Sequence, residues 1–87
     1  MRYRVELTHR ADRDLNHLPL DVQVRIVRKI SALGENPRPR GAEKLSGPEG
    51  FFRIRVGDYR VVYEIQDDVL LVLVLRIGHR RFIYRKG

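Results

Sequence analysis

The sequence predicts a small α+β domain: an N-terminal strand, two antiparallel helices, then a three-strand antiparallel meander that forms one sheet with the N-terminal strand. Three observations carry that prediction. Apolar and charged residues alternate at the start of the chain, apolar residues recur at helical spacing from Ala11 to Leu33, and three β-rich runs follow, separated by Gly57-Asp58 and Asp67-Asp68.

Residues 2–7 place Tyr3, Val5 and Leu7 against Arg2, Arg4 and Glu6, the period of a strand with one buried face. Thr8 offers an N-cap, and Ala11, Leu15 and Leu18 at i, i+4 and i+7 form one stripe on a helix of about three turns. Asp12 and Asp14 suit the positive end of its dipole. Pro19 ends that helix and fits the first turn of the next, where a missing N–H costs nothing. Val22, Ile26, Ile30 and Leu33, with Val27 beside them, give the second stripe, and Gly34, Asn36 and Pro37 supply the stop. Residues 37–50 are rich in Pro, Gly and charge and are expected to be a loop. Strands are expected over 51–56, 59–66 and 69–77, the first two joined by Gly57-Asp58 and the last two by Asp67-Asp68, both short hairpin signals. The last strand, VLLVLVLRI, shows no alternation, so it is expected at the centre of the sheet, buried on both faces and beside the N-terminal strand.

At 87 residues, 43% of them apolar, the chain has room for one core, so residues 1–87 are expected to form a single domain. It has no cysteine, which excludes a disulfide framework, thiolate catalysis and a cysteine zinc site, and fits a reducing compartment. The N-terminus lacks the apolar run of a secretory signal, and the longest apolar stretch, Val69 to Leu75, is far too short to span a bilayer. The expectation is a cytoplasmic protein with no membrane partner. The net charge is +7, and 15 of the 18 basic residues are Arg, which keeps its proton and forks onto phosphate oxygens. That bias predicts a polyanionic partner. From Val69 to Gly87 there is no acidic residue, while Arg76, Arg80, Arg81, Arg85 and Lys86 form a basic C-terminal edge.

A two-residue turn at Gly57-Asp58 sets the register: Val56 with Tyr59, Arg55 with Arg60, Ile54 with Val61, Arg53 with Val62, Phe52 with Tyr63. The apolar pairs share one face, and Arg53, Arg55 and Arg60 cluster on the other. Arg55 directly opposite Arg60 costs roughly a few tenths to 1 kcal/mol. Either a carboxylate such as Glu64 relieves this repulsion or the face receives phosphate, for which three guanidinium groups are suited. Downstream, His79, Arg80 and Tyr84 follow closely on the last strand and are candidates to reach the same face. Histidine can move protons near neutrality, and a phenol crowded by cations has its anionic form favoured. Other chemistries are poorly served. His9 and His17 lack zinc-site spacing, Ser31 and Ser46 have no histidine neighbour, and no Gly-rich phosphate loop is present.

Three motifs, Lys44-Leu45 followed by Gly47, FFRIRVGDYRVVYEI from Phe51 to Ile65, and LRIGHRRFIY from Leu75 to Tyr84, resemble the RelE-type toxins of the RelE/ParE superfamily over nearly the whole chain. The resemblance implies a toxin of a type II toxin–antitoxin system that cleaves mRNA in the ribosomal A site. The RNA 2′-hydroxyl would be the nucleophile, the products a 2′,3′-cyclic phosphate and a 5′-hydroxyl, with no metal or cofactor. It implies a catalytic set of Arg53, Arg55, Arg60, Arg80 and Tyr84, with His79 a further candidate. Arg60 and Arg80 would stabilise charge on the phosphorane, and Tyr84 would act as general base. Some members carry lysines where this chain has Arg53 and Arg55, and an arginine cannot protonate the leaving oxygen, so His79 is the candidate acid. Glu43 or Glu49 is an alternative base to Tyr84. Lys44, Arg76, Arg81, Arg85 and Lys86 are the expected RNA or ribosome contacts. The implied partners are a cognate antitoxin, the ribosome and mRNA, and the free protein is expected to be a monomer. Two rival readings are a ParE-like inhibitor of DNA gyrase without catalysis and a plain RNA-binding module stacking bases on Phe51, Phe52 and Tyr59.

Overall fold

A computed structural model of the chain describes residues 2–47 and 49–83. The elements are β1 (Arg4–Leu7), α1 (His9–Asn16), α2 (Leu20–Ala32), β2 (Glu43–Lys44), β3 (Phe51–Val56), β4 (Tyr59–Gln66), β5 (Leu71–His79) and a short α3 (Arg80–Ile83). The strands form one mixed sheet in the order β1-β5-β4-β3-β2, with β1 parallel to β5 and every other pair antiparallel.

Local chemistry sets the helix ends. The Thr8 hydroxyl oxygen accepts from the Ala11 N–H at 3.1 Å and the same hydroxyl donates to the Leu75 carbonyl at 3.1 Å, so one side chain starts α1 and ties it to β5. The first helix is shorter than expected. It stops at Asn16, with His17 as its C-cap, and Leu18 packs on the core from the connection. Pro19 occupies the N-cap of α2 rather than its first turn, and its carbonyl accepts from Val22 and Gln23. The two stripes meet the sheet as expected. Ala11, Leu15, Val22, Ile26, Ile30 and Leu33 are buried against Ile54, Val61, Tyr63, Val72, Val74 and Ile77. Each of the Val, Leu and Ile side chains contributes roughly 1.5–3 kcal/mol on leaving water.

The hairpin register matches expectation at every pair from Val56↔Tyr59 to Phe52↔Tyr63, with Gly57 at φ 61 in the turn. The last strand is central, as expected, and lies beside β1. Its missing alternation has a local cause. A bulge pairs Val62 with Arg76 and Tyr63 with Val74, so Leu75 is the extra residue and the core face runs Val72, Val74, Ile77. On the other face Leu73 is only half-buried, so burial on both faces holds in part.

Further expectations are corrected. Residues 37–50 are not all loop, because Glu43 and Lys44 pair with Arg53 and Phe52 and add a fifth strand to the sheet. Two exposed polar residues carry no periodicity, and backbone pairing alone makes the strand. Asp67-Asp68 is not a two-residue hairpin. A 3₁₀ turn spans Asp67–Val69, Leu70 adopts a left-handed φ of 53, and β5 runs from Leu71 to His79 instead of 69–77. The strand at the N-terminus begins at Arg4 rather than residue 2. Among the described residues no helix is long and apolar enough to cross a membrane.

Candidate functional site

The pleat of β3 and β4 carries Arg53, Arg55 and Arg60 to one cavity of about 330 Å³, which Lys29 of α2 and Arg40 and Glu43 of the α2–β3 connection also line. Arg55 stands directly across from Arg60, and Gly78 of β5 is its partner on the other side. Arg60 is 6% exposed, the one buried charged residue among those described, whereas Arg55 is exposed. Burying a guanidinium beside a second one opposes folding, so the arrangement has no stabilising rationale of its own.

Among the described residues the carboxylate beside these arginines is Glu43, not Glu64. Glu43 faces Arg53 across the β2–β3 pair and accepts a hydrogen bond from its guanidinium. That hydrogen bond and Arg53's charge hold the Glu43 carboxyl below the usual carboxylate range, with Arg55 and Arg60 adding to the effect. Glu64 lies opposite Phe51 and Leu73 and accepts from Gln66 at 3.2 Å.

The connection that brings Arg40 to the cavity is firmly anchored. The buried Tyr63 hydroxyl donates to the Pro37 carbonyl at 2.7 Å, and burial pushes its phenol up to about 12. Arg38 pairs with Asp67 at 2.8 Å and lies 5.6 Å over the Phe52 ring. Asp67 also accepts from the Tyr3 hydroxyl.

The other expected site residues are placed differently. His79 pairs with Tyr59, their rings edge to face at 5.6 Å, so the pleat sets it on the opposite side of the sheet from Arg60, at its end. The Arg81 N–H lies 3.3 Å from His79 Nδ1, which assigns the neutral ring's proton to Nε2. Arg80 opens α3 with its N–H on the Asp58 carbonyl at 2.9 Å, beside the hairpin turn, and its side chain is exposed, as is that of Arg81. Two expected RNA contacts hold carboxylates: Lys44 pairs with Glu49 and Arg76 with Asp14. Tyr84, Arg85 and Lys86 lie outside the described residues. Of Phe51, Phe52 and Tyr59, Phe52 stacks on Tyr63, and both Phe52 and Tyr59 pack against the core. Lys29 and Arg40 were not singled out by sequence reasoning. Lys29 reads as one more charge on a helix face and Arg40 as part of a polar loop. Among the described residues no three His, Cys, Asp or Glu side chains converge to hold a metal.

Fold and cavity together define a small basic α+β domain whose sheet gathers three strand-borne arginines beside the Glu43 carboxylate. A family model described as the ParE toxin of type II toxin–antitoxin systems matches residues 5–84. Toxin RelG of Mycobacterium tuberculosis is 36% identical over 87 residues, covering 99% of this chain and all of the relative. The mRNA interferase toxin RelE of Escherichia coli is 29% identical over 82 residues, 92% of this chain and 85% of its own. Among solved structures, RelE in the archaeal RelE–RelB complex from Pyrococcus horikoshii superposes with a TM-score of 0.82 at 28% identity, over 99% of this chain and all of that one. The chain belongs to the RelE/ParE family of toxins of type II toxin–antitoxin systems and is of RelE type.

Proposed function

We propose that this toxin is an endoribonuclease that cleaves mRNA in the ribosomal A site. The observation that carries the reading is the buried Arg60 set against Arg55 and Arg53 in one cavity, a site for charge that builds on a phosphoryl group. Support comes also from the E. coli relative, whose name is mRNA interferase.

In the proposed reaction the 2′-oxygen of one nucleotide attacks the adjacent phosphorus. The new P–O2′ bond forms as the P–O5′ bond breaks, giving a 2′,3′-cyclic phosphate and a 5′-hydroxyl. Arg60 and Arg80 stabilise the phosphorane, and Arg53 and Arg55 hold the phosphate oxygens. Tyr84 takes the proton of the 2′-hydroxyl. His79, at the end of the sheet on the side opposite Arg60, delivers a proton to the leaving 5′-oxygen, which requires the RNA to extend from the arginine face to that end. Glu43 is ill suited to be the base, because a carboxylate held below its ordinary range by Arg53 is a weak proton acceptor. The reaction uses no metal or cofactor.

The protein acts in the cytoplasm, is a monomer when free, and is neutralised by a cognate antitoxin, as RelE is bound to RelB in the P. horikoshii complex. The second reading is a gyrase inhibitor that catalyses nothing, which the family model's ParE description favours. Primer extension on a defined mRNA separates the two. Cleavage between A-site nucleotides is expected with vacant-A-site ribosomes and not with free RNA. No cleavage with ribosomes would sink the nuclease reading in favour of the inhibitor.

A further inference from the structure

The arginine cavity does not end at the hairpin. A second depression, lined by Arg25, Arg28, Lys29, Arg55 and the turn at Gly57, shares Lys29 and Arg55 with the first. The two are therefore continuous across the outer edge of β3, beyond the short stretch that β2 covers. Arg25, Arg28 and Lys29 stand at i, i+3 and i+4 on α2, one helix face, and the Arg25 guanidinium lies against Gly57, within 2.5 Å of where a Cβ there would sit. Among the described residues Glu43, at the far end, is the only carboxylate lining either depression. Among the described residues Arg25, Arg28, Lys29, Arg40 and Arg55 hold no ion pair, whereas Arg2, Arg4, Arg38, Lys44 and Arg76 each do.

Like charges at helical spacing, left unpaired and aligned with a cavity, oppose folding and make sense as a receptor for a chain of anions. We propose that this track binds the phosphodiester backbone of the RNA strand next to the scissile phosphate. The strand runs from the Arg53–Arg55–Arg60 cavity past Lys29 and Arg40 onto the Arg25–Arg28 face of α2. The proposal rests on the nuclease reading only for the identity of the polyanion. The contacts are to backbone, so they position the strand and carry no base preference.

The test is fluorescence anisotropy with a labelled hexanucleotide carrying 2′-O-methyl groups throughout, which cannot be cleaved, titrated at several salt concentrations. Each phosphate contact on a single strand adds about 0.7 to the slope of log affinity against log salt, so R25Q/K29Q/R40Q lowers the slope by roughly 2 and weakens binding. R25K/R40K retains the wild-type slope. R10Q/R13Q, two exposed arginines on α1 away from the track, also retains it. An unchanged slope in the triple Gln variant, an equal loss in the α1 control, or no binding by the wild type would overturn the proposal. A loss seen only on vacant ribosomes and not on the oligonucleotide would overturn it too, assigning the face to ribosomal RNA. With ribosomes, the triple variant needs more protein for half-maximal cleavage. Wild-type protein that binds the oligonucleotide through the track and cleaves nothing would retain the track and sink the nuclease reading alone.

Discussion

Glu43 faces Arg53 across the β2–β3 pair and accepts a hydrogen bond from its guanidinium. The carboxylate thus stands among three arginines where an incoming phosphate would stand, an internal anion that tempers their repulsion and competes with the ligand. Because Arg53 holds the Glu43 carboxyl low, it is ionised throughout the neutral range. Glu43→Gln is expected to bind the uncleavable RNA more tightly, with a salt slope steeper by about 0.7, because the carboxylate that competes with phosphate at the arginines is then removed. Its single-turnover cleavage is expected to persist; a collapse in rate with binding intact would make Glu43 the base in place of Tyr84.

The Arg55–Arg60 pair predicts opposed effects on stability and activity. Arg55→Gln removes one of two like charges directly opposite in the sheet and is expected to raise stability by roughly a few tenths to 1 kcal/mol in urea unfolding, while lowering RNA affinity. Arg60→Gln is expected to lower single-turnover cleavage by about 10²–10³, the cost of removing one donor from developing charge. Full cleavage by the Arg60 variant would place the reacting phosphate elsewhere.

The hairpin register and the two helix stripes were legible because each follows from a period and a turn length. Arg53, Arg55 and Arg60 fall on one face by the turn length alone. The bulge at Leu75 was not legible. It follows from β5 continuing past the end of β1, where Thr8 and Asp14 on α1 replace a neighbouring strand. The same bulge shifts the parity of β5, so that Gly78 rather than Ile77 is opposite Arg60 and His79 falls on the other face; counting along the strand cannot reveal that. β2, Glu43's hydrogen bond with Arg53 and the approach of Lys29 and Arg40 to the cavity depend on how a polar connection folds back. No local pattern encodes it.

Stability is expected to depend on pH through the Tyr3–Asp67–Arg38 cluster. The Arg38 guanidinium, and then the Tyr3 hydroxyl, hold the Asp67 carboxyl below its ordinary 3.8, while the hydrogen bond to Asp67, and then burial, hold the Tyr3 phenol above its ordinary 10.0. Asp67's contribution is therefore present above its ordinary range and is lost as pH falls through its depressed folded value. Tyr3's is present below 10.0 and is lost as pH rises through its elevated one. Thermal unfolding from acid to alkaline pH is expected to show Asp67→Asn melting below the wild type in between, the gap closing as pH falls below the ordinary carboxylate range. A gap that persists at acid pH would mean Asp67 acts through something other than its charge.

Asp14 closes the edge of β5 that β1 leaves open. Its carboxylate accepts from the Ile77 N–H at 3.0 Å and from Arg76 Nε at 2.9 Å, so one side chain replaces a strand partner and neutralises a neighbouring cation. It also joins α1 to the stretch that carries Gly78, His79 and Arg80, so the loss is both local and positional. Asp14→Ala strands a backbone donor beside the buried Ile77 and is expected to cost about 1–3 kcal/mol in urea unfolding. Asp14→Asn keeps an acceptor oxygen for one of the two donors, and less than half of that loss is expected. Hydrogen exchange at the Ile77 amide separates a local from a global effect. Faster exchange there than in the core strand β4 shows the end of β5 fraying, and cleavage is then expected to fall even where the rest of the domain stays folded. Wild-type exchange at Ile77 in Asp14→Ala would mean that pairing with β4 holds the end of β5 without help from α1.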